Sequence, residues 1–421
     1  MSKSRIIAGI ELGSSKVATI AAQINQDPTT YETNINIVGV SSVDSKGVKK
    51  GQIVDIDEAV EATITSVEGA ERMAGYNLDC AYVALNGAHV MSQNSHGVVA
   101  VSGPNGEITQ HDVERVVEAA SAVSLPSSRE LIHVLPREYI VDGENGVKDP
   151  VGMSGVRLEV DTHLITASSA NIKNTRKALA EVGIRIEELV FPALAAATAV
   201  LTQTEKELGC VVIDIGGGVT TIAAYIDGGI TYSGVIPIGA KNVTNDLAIG
   251  LRVSLDNAEK IKVALGATLE EIKEAGDELD LEKLGLNETK RVSRKTLVEG
   301  IIRPRLNEIF TMVKIELDKA GVLTKVPSGA IICGGGADTI GVTESAKRVL
   351  TLPVRIGVPR EVKGLIDDIL NPAFAVPVGL VLYGAGNEPV ENTGGIGKRI
   401  KMPKGIGFIS KFVNFITDLL P

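Results

Sequence analysis

Two apolar runs, each broken by a Gly-rich turn, open the two halves of the chain. "IIAGIELGSSKVATIAAQI" begins at Ile6 and "CVVIDIGGGVTTIAAYIDGG" at Cys210. Each reads as a strand, an acid, an apolar residue, a Gly with small neighbours, then a second strand. Glu11-Leu12-Gly13 aligns in this way with Asp214-Ile215-Gly216. The pattern predicts two related hairpins whose tips expose backbone N–H groups.

Between them, residues 85–162 read as an inserted α+β module. "AYVALNGAHV", "SHGVVAV", "ELIHVLPREYIVDG" and "VRLEVDTHLITAS" are strand-like. "TQHDVERVVEAASAV" is a helix with Thr109 and Asp112 as a capping box and Val113, Val116, Val117, Ala120 and Val123 as its apolar stripe. "IKNTRKALAEVGI" predicts a helix ended by Gly183, and "FPALAAATAVLT" an Ala-rich helix able to pack closely. The second half carries its own insertion, 241–303, expected to be charged and helical, with acids through 270–282 and bases at Lys290, Arg291, Arg294 and Lys295. "PRLNEIFTMVKIELDKAG" returns to the core through Leu306, Ile309, Phe310, Val313 and Leu317, and a strand and turn, "GAIICGGGAD", follow.

From 386 to 404 the composition is that of a linker: Gly, Pro, Asn and charge. At about 100° per residue, "GFISKFVNFITDLLP" then puts Phe408, Phe412, Phe415 and Leu419 on one side, with Ile409, Val413, Ile416 and Leu420 beside them. Ser410, Lys411, Asn414, Thr417 and Asp418 take the opposite arc. Residues 405–421 are thus expected to form an amphipathic helix lying in a bilayer interface, its flanking bases attracted to anionic lipid. One such helix binds weakly. Many copies on one polymer bind tightly.

Charge supports that expectation. The chain carries −10 overall, yet from Asn392 onward five bases face one acid, leaving 37 bases and 51 acids in residues 1–391. The acidic body argues against nucleic acid as a partner, since such binders need a basic face. At 421 residues, 44% hydrophobic with 45 Gly and 3% aromatics, the chain suits an α/β protein of several domains. Cys80, Cys210 and Cys333 sit in or beside apolar runs without CxxC pairing, and read as buried thiols of a reducing compartment. No signal peptide is visible, and no run approaches the roughly 18 apolar residues of a membrane span. The expected location is the cytosol.

Three Gly-rich turns follow apolar strands: "ELGSSK", "DIGGGVTT" and "CGGGAD". Glycine lets a backbone approach phosphate oxygens, and successive N–H groups with small hydroxyls form an anion nest. Three such turns, two with matching acids, point to a nucleotide gripped between two domains. Glu11 and Asp214 would hold Mg²⁺ through its waters, because magnesium dehydrates reluctantly.

The set resembles the actin/Hsp70/sugar-kinase ATPase fold, and within it, along nearly the whole chain, the FtsA family of bacterial cell-division proteins. "AYVALNGAHV", "HVLPREY", "DPVGMSGVRLEV...HLIT" and "NPAFAVPVGL" carry the second likeness. The resemblance implies a two-lobed ATPase fold with an inserted subdomain in each half. The first lobe would span 1–84 and 163–205, the second 206–240 and 304–385. It assigns ATP to Glu11, Gly13, Ser14, Ser15 and Lys16, to Asp214, Gly216, Gly217, Gly218, Thr220 and Thr221, and to an adenosine turn at Gly334, Gly335, Gly336 and Asp338. Glu259 and Lys262 in "AEKIK" would line the purine and ribose side, and a branched residue at Gly336 would sit where adenosine lies. Two departures stand out. Glu11 is one methylene longer than the Asp of many relatives, and Phe191 stands where chaperone relatives carry a water-orienting Glu. Phe cannot deprotonate water, so no catalytic residue is assigned and ATP hydrolysis should be slow at most. The resemblance further implies filaments of the protein itself, peripheral attachment at the cytoplasmic face of the inner membrane, and a tether for the division GTPase FtsZ. The FtsZ C-terminal peptide would meet Arg294 and Lys295, and the first insertion would contact neighbouring protomers and later division proteins. A small-molecule kinase of the same fold, or a pilus-assembly scaffold like PilM, remain open alternatives.

Overall fold

The computed structural model describes residues 5–26, 33–267, 277–285, 291–365 and 369–387. Two sheets share one plan. The first orders Arg185–Val190, Cys80–Ala84, Arg5–Leu12, Lys16–Gln26 and Thr33–Asp44, with Lys363–Gly364 added at its edge. The second orders Val354–Ile356, Ala330–Cys333, Cys210–Ile215, Thr220–Ile226 and Gly229–Ile236. In each, the central strand has an antiparallel hairpin partner on one side and a parallel strand on the other. Cys210–Ile215 is buried at every position, as expected of a strand covered on both faces.

The Ala-rich segment forms helix Pro192–Val200, and nearly all of it is buried. It packs against helix Ala375–Asn387 so closely that a Cβ on Gly379 would collide with the Ala195 carbonyl. One apolar cluster runs from Ile10 and Ile20 of the first sheet through these helices to Val212 and Ala223 of the second. The lobes therefore share a core beneath the hairpin tips.

The first insertion is a four-stranded antiparallel sheet, ordered Met91–Ala100, Arg157–Ser168, Arg129–Val141, Glu144–Val147, under helix Gln110–Ser121. The capping box forms as expected: Asp112 accepts from the Thr109 N–H at 3.0 Å, and Thr109 Oγ1 from the Asp112 N–H at 3.3 Å. Val113, Val116, Val117 and Ala120 enter its core, but the helix caps at Ala122, so Val123 lies beyond it. "AYVALNGAHV" is not one strand of this module. Cys80–Ala84 belongs to the first-lobe sheet, and the module's first strand starts at Met91. The module is also stitched to the second lobe. Ser92 Oγ donates to the Ser233 carbonyl at 2.6 Å, and His163 bridges Asn94 and Ser233 at 2.7 and 2.8 Å.

The second insertion is helical only in part. Helices Ala240–Leu251 and Leu255–Ala267 are followed by a small sheet of Glu278–Asp280 and Arg291–Ser293, which the charged composition concealed. Arg294–Leu297 then leads through a wide turn, Val298–Ile302, into helix Arg303–Lys319. Gly386 and Asn387, expected to open the linker of 386–404, instead end helix Ala375–Asn387, and the rest of that linker and the terminal amphipathic helix, residues 388–421, lie outside the described residues. Among the described residues, no helix is long and apolar enough to cross a membrane.

Candidate nucleotide cleft

The two acids hold the same place in their ladders. Glu11 pairs with Ala18 and Asp214 with Thr221, followed by Leu12–Val17 and Ile215–Thr220. Gly13 and Gly216 close the tips by donating to the Lys16 and Val219 carbonyls at 3.0 and 2.9 Å. The parallel neighbours are Ala84 for Glu11 and Cys333 for Asp214. Both hairpins are thus one local solution, built twice.

Their tips meet across the cleft. Gly217 lies against Ser15, and a Cβ on Gly218 would press on the Ser14 side chain at 2.9 Å from its Cβ. Lys241 Nζ crosses to donate to the Ser14 carbonyl at 2.7 Å, and Ser14 Oγ accepts from the Gly51 N–H at 2.9 Å. The third turn stands behind Asp214. Gly334 has φ +81°, and a side chain there would strike the Asp214 carboxylate. Its N–H donates to the Pro372 carbonyl at 2.9 Å.

A cavity of about 550 Å³ opens beside this turn, lined by Glu259, Lys262, Gly335, Ala337, Asp338 and Ile356 among others. That falls within the roughly 300–1,000 Å³ usual for small-molecule sites. Lys262 is buried and donates to Glu259 Oε2 at 2.7 Å and to Thr244 Oγ1 at 3.0 Å, and Thr244 Oγ1 is also bonded to the same carboxylate. The E-x-x-K pair is therefore a fixed wall of the cavity. Gly336 is not part of its lining. A Cβ there would run into Ile215 of the hairpin core, so a branched residue would strain the packing of the turn.

Burial sets the electrostatics. It pushes the Glu11 carboxyl up to about 7, with Lys16 opposing and Asp214 adding to the rise. It pushes Asp214 up to about 6, against the Thr221 hydroxyl, which donates to Asp214 Oδ2 at 3.0 Å, and against Lys16. Two carboxylates that resist ionisation beside exposed N–H tips suit a bound cation. Among the described residues no group of three or more His, Cys, Asp or Glu could hold a metal directly. Two acids fit a hydrated Mg²⁺, which keeps most of its waters.

Phe191 is fully buried, its N–H donating to His133 Nε2 at 3.0 Å, so its side chain offers the cleft no polar group. Arg294 and Lys295 open the short helix of the second insertion and do not line the cavity. Their N–H groups donate to the Asp277 carbonyl and Asp277 Oδ1 at 2.7 and 2.9 Å. Lys241, Thr244 and the turn Pro372–Phe374 join the site without having been singled out for it.

Two lobes of one plan, facing Gly-rich hairpins and a third turn beside a cavity define an actin-like fold. A solved structure, the "PilM-PilN type IV pilus biogenesis complex", shares it with TM-score 0.62 and 17% identity over 90% of this chain and 98% of that one. Family models described as "SHS2 domain inserted in FTSA" and "Cell division protein FtsA" match residues 87–166 and 211–379. "Cell division protein FtsA" of Pseudomonas aeruginosa is 37% identical over 380 residues, covering 90% of this chain and 89% of that protein. Its namesake from Neisseria meningitidis serogroup B is 36% identical over 421 residues and 99% of both chains. The chain belongs to the FtsA family of cell-division proteins.

Proposed function

We propose that this chain is an ATP-binding, filament-forming protein that ties the FtsZ ring to the cytoplasmic face of the membrane and recruits later division proteins. The observation that carries the nucleotide part is the pair of hairpins, with Glu11 and Asp214 in one register beside facing tips. Their N–H groups and small hydroxyls would receive phosphates, Glu11 and Asp214 would hold a hydrated Mg²⁺, and the cavity at Glu259 and Lys262 would receive the nucleoside. The metal would neutralise phosphate charge. With Phe191 buried and apolar, turnover should stay well below the roughly 1–10³ s⁻¹ common among enzymes, and ATP would act chiefly by stapling the lobes.

Family membership supports the division role, and the tail's composition supports the membrane. Phe408, Phe412, Phe415, Ile416 and Leu419 would enter the acyl boundary while Lys401, Lys404 and Lys411 stay with the headgroups. Arg294 and Lys295 would meet the acidic FtsZ peptide, and the first insertion would contact neighbouring protomers. The test is sedimentation with anionic vesicles in Mg-ATP. The full chain should pellet, while Phe412→Glu and a chain lacking 405–421 should stay in solution and still bind ATP. Equal pelleting by the truncated chain would refute the membrane role.

A further inference from the structure

The stretch "NPAFAVPVGL" follows the edge strand Lys363–Gly364 of the first sheet and leads into helix Ala375–Asn387, which packs on the first hairpin. Its turn is fixed on both sides. Asn371 Oδ1 accepts from the Ala373 N–H at 2.7 Å, and Asn371 Nδ2 donates to Asp338 Oδ2 at 3.1 Å. The Pro372 carbonyl accepts from Gly334 of the third turn at 2.9 Å. The Ala373 carbonyl accepts from Lys16 Nζ of the first hairpin at 2.7 Å, and the same ammonium sits 3.8 Å above the centre of the Phe374 ring. This one turn therefore ties the third Gly-rich turn to the first.

We propose that Phe374 is a positioning residue for nucleotide binding: its ring and the Ala373 carbonyl seat the Lys16 ammonium facing the phosphates. This rests on the nucleotide reading above. Lysine has three donors. Ala373 takes one, and the ring face attracts the charge from a second side. The charge held there is felt by Glu11, Asp214 and Asp338 across the cleft. Without the ring, the flexible stem would be free to swing onto one of these carboxylates, and a phosphate would have to pull it away. With the ring, the ammonium is ordered before the ligand arrives, which lowers the cost of binding.

The experiment measures Mg-ATP affinity of the full chain by calorimetry. Phe374→Leu should weaken binding by about 3- to 30-fold, and Phe374→Tyr should keep it within about twofold. In a Lys16→Met background Phe374→Leu should change affinity by less than about twofold, because the ring acts through the ammonium. Melting of each nucleotide-free variant checks the fold, and Phe374→Met replaces Phe374→Leu if the latter does not fold. Equal or tighter binding by Phe374→Leu overturns the proposal. So does an equal loss in the Lys16→Met background, which would mean that the ring merely packs the cleft wall. If the unmodified protein binds no ATP, the nucleotide reading falls and takes this one with it. If it binds and is indifferent to Phe374, only this one falls.

Discussion

The two hairpins fold to one register and differ in how they hold their acid. Asp214 is short and 4% exposed, and its strand partner Thr221 donates a hydrogen bond to it. Glu11 is a methylene longer and less buried, and its partner Ala18 has no hydroxyl to offer. What balances Glu11 is Lys16, which follows the tip of its own hairpin and has no basic counterpart in "DIGGGVTT". Lys16 opposes the burial of both carboxyls, but only Asp214 also has a hydroxyl that orients it. A repeated backbone has acquired unequal chemistry, and the second hairpin carries the more rigid anchor.

This inequality is open to direct attack. Asp214→Ala should have the largest effect, weakening Mg-ATP binding by about 100-fold, the upper range for losing a group that orients a metal. Thr221→Val leaves the carboxylate and removes only its orienting hydroxyl, and should cost about tenfold. Glu11→Gln should cost about threefold, since an unoriented side chain has less preorganisation to lose. Calorimetry on the folded variants ranks them. If Glu11→Gln proves more damaging than Asp214→Ala, the anchor lies in the first hairpin and the comparison is inverted.

Much of this was legible in sequence because it is local. Acid, apolar residue and Gly at matching spacing sufficed to align two hairpins some two hundred residues apart. The Thr109–Asp112 box and the stripe of Val113, Val116 and Val117 likewise need only neighbours along the chain. The misses share another cause. Strands of three residues, Glu278–Asp280 and Arg291–Ser293, are too short for alternation to register, so charge dominated the reading. "AYVALNGAHV" conceals a turn between two sheets, because both halves are apolar enough for either. The Lys16–Ala373 bond joins residues 357 positions apart, and Lys241 reaches Ser14 over 227. No local pattern announces such partners, and "NPAFAVPVGL" stands out in sequence only by its family likeness. At Gly336 a glycine marks a close approach without saying what approaches, and the atoms nearest a Cβ there belong to Ile215.

The smallest expected effect is on stability, and it tests whether Asp214 is strained without its ligand. Burial raises this carboxyl from 3.8 to about 6. Between those values the folded protein keeps a proton that the unfolded chain has lost, so stability falls as pH rises through this window. Above about 6 both states are ionised, and the cost of a buried charge is present in full. Asp214→Asn carries no such charge and can still accept the Thr221 hydrogen bond. Without nucleotide it should melt near the parent at about pH 3.5, below the window, and about 2–4 °C higher at pH 8, with roughly half of that gap already open at pH 5. Glu11, pushed up to about 7, adds a slope of the same sign. The Asp214 charge contributes to that rise, so Asp214→Asn also lowers the Glu11 carboxyl and the difference between the curves reports the coupled pair. Mg-ATP should reverse the order at pH 8, stabilising the parent and leaving the variant where it was. A variant that melts below the parent at pH 8 without nucleotide would mean that Lys16 and Thr221 already make the ionised carboxylate a net stabiliser. The second hairpin would then be complete before any metal arrives.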